Sequence, residues 1–248
     1  MPKPFGTLCK APLLAMLLAL STPTHAADIG MGWSWFYTST LAGTLAARGD
    51  KVSVLQDYDA QTLARFDVFI LDGTARANAA DLDSFVYNGG TLILQPLSMT
   101  FAGITPGLSV TGEYHHVEYG KSMPGITTLD AGDWLLEGVT LPAAGSAAIG
   151  RETGTLFADG ATRVLEWEDG DALLGYRQYG AGTVIAFNVN LVTGDNHPLD
   201  AAWSNQVVFN AIDAAVSPVP EPAPYAMLGV GLLALLGRRR DMRPTISK

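Results

Sequence analysis

RFDVFILDGTARANAADLDSFVYNGGTLILQP, from Arg65 to Pro96, decides the fold. The segment DVFILDG (Asp67 to Gly73) is a short apolar run bounded by turn residues, and TLILQPL (Thr91 to Leu97) is a second. Neither alternates apolar with polar residues, which is the pattern of strands buried on both faces. Between them NAADLDSFVYNGG reads as a helix, with Asn78 as N-cap and a glycine stop. Strand, helix and strand in this order predict a parallel pair with a crossover helix.

Working outward, DIGMG (Asp28 to Gly32) reads as an opening strand and TSTLAGTLAARGD as a helix ending near Gly49. KVSVLQ (Lys51 to Gln56) reads as a β-branched strand, and AQTLARF as a short helix. The second half differs. Turns at ADG, EDGD and YGAG separate short apolar runs, which predicts antiparallel hairpins. The run GTVIAFNVN (Gly182 to Asn190) is apolar enough to rejoin the central sheet, and Ala201 to Val216 reads as an amphipathic helix. The expected fold is therefore α/β: a mostly parallel sheet covered by helices on both faces, with an antiparallel, hairpin-rich second half and a single C-terminal transmembrane helix.

The two ends of the 248-residue chain carry signals of a different kind. Lys3 and Lys10 precede APLLAMLLAL (Ala11 to Leu20), and small residues lead to Ala26, so residues 1–26 read as a secretory signal cut before Ala27. The single cysteine, Cys9, lies inside that segment, so the mature chain offers neither disulfide nor thiol nucleophile. A globular body is expected over 27–216, a proline-rich linker over 217–224, an apolar helix over 225–237 and a basic cytoplasmic tail over 238–248. As a helix the uncharged stretch from Ala223 to Gly237 spans about 22 Å, short of the roughly 30 Å hydrocarbon core. The arginines after it and the lysines before the first apolar run both place the middle of the chain across the membrane.

Of 15 basic and 24 acidic residues, seven and two belong to these ends, leaving eight against 22 in the middle. That balance excludes nucleic acid and anionic lipid as partners of the body. A cation-rich partner, calcium or plain solubility fits it.

Pro220, Glu221 and Pro222, followed by a short Gly/Leu/Ala-rich stretch and then Arg238, Arg239 and Arg240, resemble the PEP-CTERM sorting tail of Gram-negative bacteria. The resemblance implies an exosortase as partner, and release or attachment of the body at the cell surface or in an exopolysaccharide matrix. DMRPTISK after the arginines departs from the usual end of such tails. The Arg65–Pro96 stretch, with YGAGTVIAFNVN leading into the last helix, resembles the class I glutamine-amidotransferase-like group of flavodoxin-like domains. That group's enzymes carry a cysteine on a strand-to-helix elbow; here no cysteine and no G-x-S-x-G elbow follows TLILQPL, and Ser98 is the hydroxyl at that turn.

His197 in TGDNHPLD falls where the group's histidine does. A Ser98/His197 pair oriented by Asp195 or Asp200 is chemically permissible for a hydrolase, against a plain polar loop. In GEYHHVEYG (Gly112 to Gly120) an extended backbone puts His116 and Glu118 on one face, two ligands of an incomplete metal site or a solvated strand. Glu166, Glu168, Asp169 and Asp171 in EWEDGD read as a hairpin turn with solvated acids, or as carboxylate ligands for calcium without EF-hand spacing. Trp33, Trp35, Phe36 and Tyr37 crowd the junction of first strand and first helix, as a stacking surface for sugar or peptide or as a buried plug. No cofactor is implied. The expected protein is an exported binding or structural domain associated with polysaccharide or another envelope protein, the alternative being a hydrolase or metal-dependent enzyme.

Overall fold

The structure, a computed structural model, describes residues 26–32, 38–71, 78–96, 98, 107–112, 116–146, 148–189 and 201–217. The chain divides into a compact unit, Met1–Val216, and a second unit, Ser217–Lys248. The first half alternates β1 (Asp28–Gly32), α1 (Thr38–Arg48), β2 (Lys51–Leu55), α2 (Ala60–Leu63), β3 (Val68–Leu71), α3 (Ala79–Tyr87) and β4 (Thr91–Leu94). The second half supplies β5 (His116–Ser122), β6 (Ile126–Thr128), β7 (Ala148–Thr153), β8 (Thr162–Trp167), β9 (Ala172–Tyr179) and β10 (Gly182–Phe187), then α4 (Ala201–Val216).

Eight strands form one sheet in the order β2-β1-β3-β4-β10-β9-β8-β6. From β2 to β10 neighbours run parallel; beyond β10 each neighbour is antiparallel. The central strands are buried on both faces, and their side chains alternate between two cores. Val68, Ile70, Ile93, Ile185 and Phe187 pack with Leu41 and Leu45 of α1 and Trp203 and Val207 of α4. Phe69, Leu71, Leu92, Leu94, Val184 and Ala186 pack with Leu63 of α2 and Leu82, Phe85 and Val86 of α3. Helices thus cover both faces, as the unbroken apolar runs of β3 and β4 require.

Local signals place the ends of these elements. The Asn78 side chain accepts from the Ala80 N–H at 3.1 Å and starts α3. Gly89, at φ +114°, ends it in a conformation that residues with a Cβ rarely adopt.

Several expectations need adjustment. Strands β3 and β4 each span four residues, and directly after β4 the Ser98 N–H closes a turn on the Gln95 carbonyl. AQTLARF gives a helix of four residues only, capped by Asp59. Strand β7 does not extend the hairpin array into the main sheet; it pairs antiparallel with β5 in a separate two-stranded sheet, with a register shift between Glu118 and Lys121. The signal segment except Ala26, the linker after Ser217, the apolar helix at 225–237 and the basic tail lie outside the described residues. Among the described residues no helix is long and apolar enough to cross a membrane.

Two glycines separate close packing from conformational freedom. A Cβ on Gly182 would stand 2.2 Å from the Val86 carbonyl oxygen and 2.3 Å from that of Gly90, both backbone atoms that cannot swing away. Gly182→Ala is expected to cost about 2–4 kcal/mol. A Cβ on Gly43 in α1 would meet nothing within 4 Å, so Gly43→Ala is expected to gain about 0.5–1 kcal/mol. Urea denaturation of the two variants checks both signs.

Candidate functional site

Strands β1, β3, β4 and β10 end at one edge of the sheet, the edge at which open α/β sheets bind ligands. The segments that follow these strands include 33–37, 72–77, 99–106 and 190–200, all outside the described residues. Trp33, Trp35, Phe36, Tyr37, Asp195, His197 and Asp200 belong to them. Ser98, His116 and Glu118 are described.

Ser98 is fully buried. Its hydroxyl accepts from the Gln95 N–H at 2.9 Å and lies 2.7 Å from the carbonyl oxygens of Leu71 and Gln95, to one of which it donates. The side chain thereby ties the end of β3 to the turn after β4.

Just past the end of β10, the side-chain amide of Asn188, also fully buried, behaves like a strand residue. It accepts from the Glu152 N–H at 2.7 Å and donates to the Glu152 carbonyl at 2.9 Å, completing the outer edge of β7. Its second proton goes to the Ala172 carbonyl at 2.7 Å, at the start of β9. One amide thus docks the small sheet on the large one. Glu152 itself is fully buried at this junction.

Arg151, one residue before Glu152 and on the opposite face of β7, is the charge centre of the same edge. Its side chain is 7 % exposed and meets three carboxylates: Asp169 through two N–H groups at 3.1 and 2.5 Å, Asp171 at 3.1 Å and Glu118 at 3.5 Å. The guanidinium lies 5.6 Å from the Trp167 ring centroid, within cation–π range. Burial works to lower the Arg151 pKa, but the bond to Asp169 and the charges of Asp169, Asp171 and Glu118 hold it above the ordinary value. Burial likewise opposes ionisation of Asp169, and the Arg151 bond and charge outweigh it, so that carboxyl lies below its usual range. Burial and then the Asp169 charge push Asp171 up, against the attraction of Arg151.

These acids correct the expectation of a solvated turn. EDGD does turn between β8 and β9, but Asp171 is buried, also accepting from the Thr155 N–H at 3.1 Å, and Asp169 is half-exposed on Arg151. His116 and Glu118 do share a face: His116 Nε2 is 3.6 Å from Glu118 Oε1, and His116 Nδ1 is 3.1 Å from Thr153 Oγ1. Among the described residues no group of three His, Cys, Asp or Glu side chains is placed to hold a metal ion.

A cleft of about 300 Å³ lies at the other edge of the sheet, between Phe66, Asp67, Phe85, Asn88 and Ala215. None of the residues singled out from the sequence lines it.

Residues 218–240 match the PEP-CTERM protein-sorting motif. The chain carries a cell-surface sorting signal. The motif spans Pro220, Glu221, Pro222, Arg238, Arg239 and Arg240, which lie outside the described residues, and implies export and processing by an exosortase. No curated protein matches the chain in sequence. Among solved structures, a ThuA-like protein from Parabacteroides merdae is similar at 12% identity, with TM-score 0.58 over 81% of this chain and 94% of that one. A protein described as a GMP synthase component from Thermoplasma acidophilum is similar at 12% identity, with TM-score 0.55 over 77% and 95%. A Salmonella typhimurium cytoplasmic protein, STM3548, is similar at 14% identity, with TM-score 0.55 over 75% and 97%. At these identities the likeness concerns the fold: the body has an amidotransferase-like α/β architecture.

Asn188→Ala leaves the Glu152 N–H and two carbonyls without partners and is expected to cost about 2–4 kcal/mol. Asn188→Asp, which keeps an acceptor but loses both donors beside Glu152, should cost at least as much. For Arg151→Met the expected loss is about 3 kcal/mol at pH 7, since it strands carboxylates built around a cation. The sign with pH follows from Asp169, whose lowered folded pKa contributes stability above the ordinary carboxylate range that is lost as pH falls through the lowered value. Raised Asp171 acts oppositely, its charge being a cost that protonation removes. The gap between wild type and Arg151→Met should therefore narrow from pH 7 to about pH 3.5 in urea titrations.

Proposed function

We propose that the exported body is a non-catalytic binding domain at the cell surface or in the matrix, associated with extracellular polysaccharide or with another envelope protein. The observation that supports this most directly is the state of Ser98. At the turn where the enzymes this fold resembles carry a nucleophile, its hydroxyl is buried and occupied by backbone groups. The mature chain has no cysteine to replace it. On this reading residues 1–26 are the signal peptide, 27–216 the binding domain, 217–224 the linker, 225–237 the membrane-crossing sorting helix and 238–248 the cytoplasmic tail. Before processing the C-terminal helix holds the body on the periplasmic face of the inner membrane.

Trp33 and Trp35 follow the last residue of β1 by one and three positions. They are the stacking residues we assign to the carboxyl edge. Aromatic rings present a broad apolar face suited to the C–H face of a sugar.

The reading is tested by processing, by binding and by the loss of competing activities. Intact masses of the protein from envelope and medium, with and without the exosortase, are expected to show a form starting at Ala27 that loses its tail only when the protease is present. Retention on matrix polysaccharide is expected to fall at least tenfold in Trp35→Ala. Ser98→Ala is expected to lower stability by about 1–2 kcal/mol without altering binding. Acyl or glycosidic hydrolysis abolished in His197→Ala would replace the binding reading by an enzyme using His197, Ser98 and Asp195. Bound metal lost in His116→Ala would replace it by a His116/Glu118 metal site.

A further inference from the structure

The largest exposed ring among the described residues belongs to Tyr87, 59% exposed at the end of α3. It is held in place although it is not covered. Tyr179, at the end of β9, meets it edge to face with ring centroids 5.7 Å apart. The Tyr179 hydroxyl donates to Asp83 at 3.1 Å, one helical turn before Tyr87 on the same face of α3. Behind the pair the backbone is pressed close. At Gly180, φ is +61° and a Cβ would stand 2.5 Å from the Tyr87 carbonyl oxygen; at Gly107 a Cβ would lie 2.4 Å from the Tyr179 ring. Ala181 N–H bonds the same Tyr87 carbonyl at 3.0 Å. Three segments therefore converge to fix an open aromatic face beside a carboxylate.

Charge says what that face accepts. Five of the body's eight basic residues are bonded within the chain: Arg48 to Asp50 and Asp213, Lys51 to Asp28, Arg151 to its three acids, Arg163 to Glu166 and Arg177 to the Asp159 carbonyl. A partner approaching Tyr87 meets an acidic molecule. Resting on the polysaccharide reading above, we propose that Tyr87, Tyr179 and Asp83 form a stacking platform for a protonated amino sugar of a matrix polysaccharide. The sugar's C–H face lies on Tyr87, its ammonium group is drawn to the ring and to Asp83, and both contacts strengthen each other. The platform sits by the β9–β10 turn, at the opposite edge of the sheet from the carboxyl ends of β1, β3, β4 and β10.

The test uses the processed protein recovered from medium and calorimetry with glucosamine hexamer, N-acetylglucosamine hexamer, a polyuronate and lysine hexamer. Glucosamine hexamer is expected to bind, with at least tenfold weakening in Tyr87→Ala and in Asp83→Asn, while Tyr87→Trp binds as well as wild type. Because Tyr87 is exposed, Tyr87→Ala should keep the wild-type unfolding midpoint, which separates lost binding from lost fold. Equal binding of lysine hexamer, of N-acetylglucosamine hexamer or of the polyuronate would overturn the amino-sugar assignment. Glucosamine binding unchanged in Tyr87→Ala but lost in Trp35→Ala would remove this platform and leave the polysaccharide reading standing; no binding of any saccharide by wild type would remove both.

Discussion

Strand β10 can lie beside β4 only because position 182 has no side chain. The carbonyls of Val86 and Gly90 approach so closely that a Cβ would stand little more than 2 Å from each. Everything in the second half depends on that approach. Once β10 is parallel to β4, with Thr183 opposite Thr91 and Ala186 opposite Leu94, its odd and even residues feed the two cores already set by β3 and β4. It also offers its free side to β9, and the sheet continues antiparallel from there. The same register delivers Asn188 to the carboxyl edge, where its amide finds Glu152 and Ala172. A glycine at one end of the strand thus determines what is assembled at the other.

The polar groups inside the body are unevenly placed. Gln95, Ser98, Arg151, Glu152, Asp171 and Asn188 are all buried at or near the carboxyl edge, while Val68–Leu71 of β3, Leu92–Leu94 of β4 and Val184–Phe187 of β10 are apolar. Buried ion pairs add little stability relative to apolar side chains of the same volume, because desolvation offsets the Coulomb attraction. What the Arg151 cluster does is positional. Glu118 comes from β5, Arg151 from β7, and Asp169 and Asp171 from the β8–β9 turn, so one guanidinium ties the β5–β7 pair to a turn of the large sheet. Asn188 does the same with a neutral group. Together they hold the two-stranded sheet against the edge where ligands of such folds bind.

Much of the architecture was legible in the sequence because the central strands are buried on both faces. Such strands must be unbroken apolar runs, and Val68–Leu71 and Thr91–Leu94 are. The Asn78 cap, the glycine stops and the α4 boundaries follow from local chemistry and were readable for that reason. The β5–β7 pair was not, because about 25 residues separate its strands and its docking on the large sheet rests on Asn188, which in GTVIAFNVN looks like one more strand residue. Arg151 gives no signal of its own in the sequence for a related reason. An isolated arginine carries no pattern; only the fold brings Glu118, Asp169 and Asp171 around it. The one available signal was the pairing of a lone cation with an acid-rich turn in a body holding eight basic residues against 22 acidic ones.

The same scarcity of cations constrains how the body meets other molecules. At physiological salt the Debye length is about 8 Å, so the acidic surface does little at a distance. Its effect is felt at contact, where an anionic polymer would have to bury carboxylates against carboxylates with most basic residues already bonded internally. Both ends of the body lie at one edge of the sheet: Ala27 N–H bonds Asp50, and Arg48 joins Asp50 to Asp213 near the end of α4. The carboxyl edge, with its buried polar groups, is at the far end of the strands from that point.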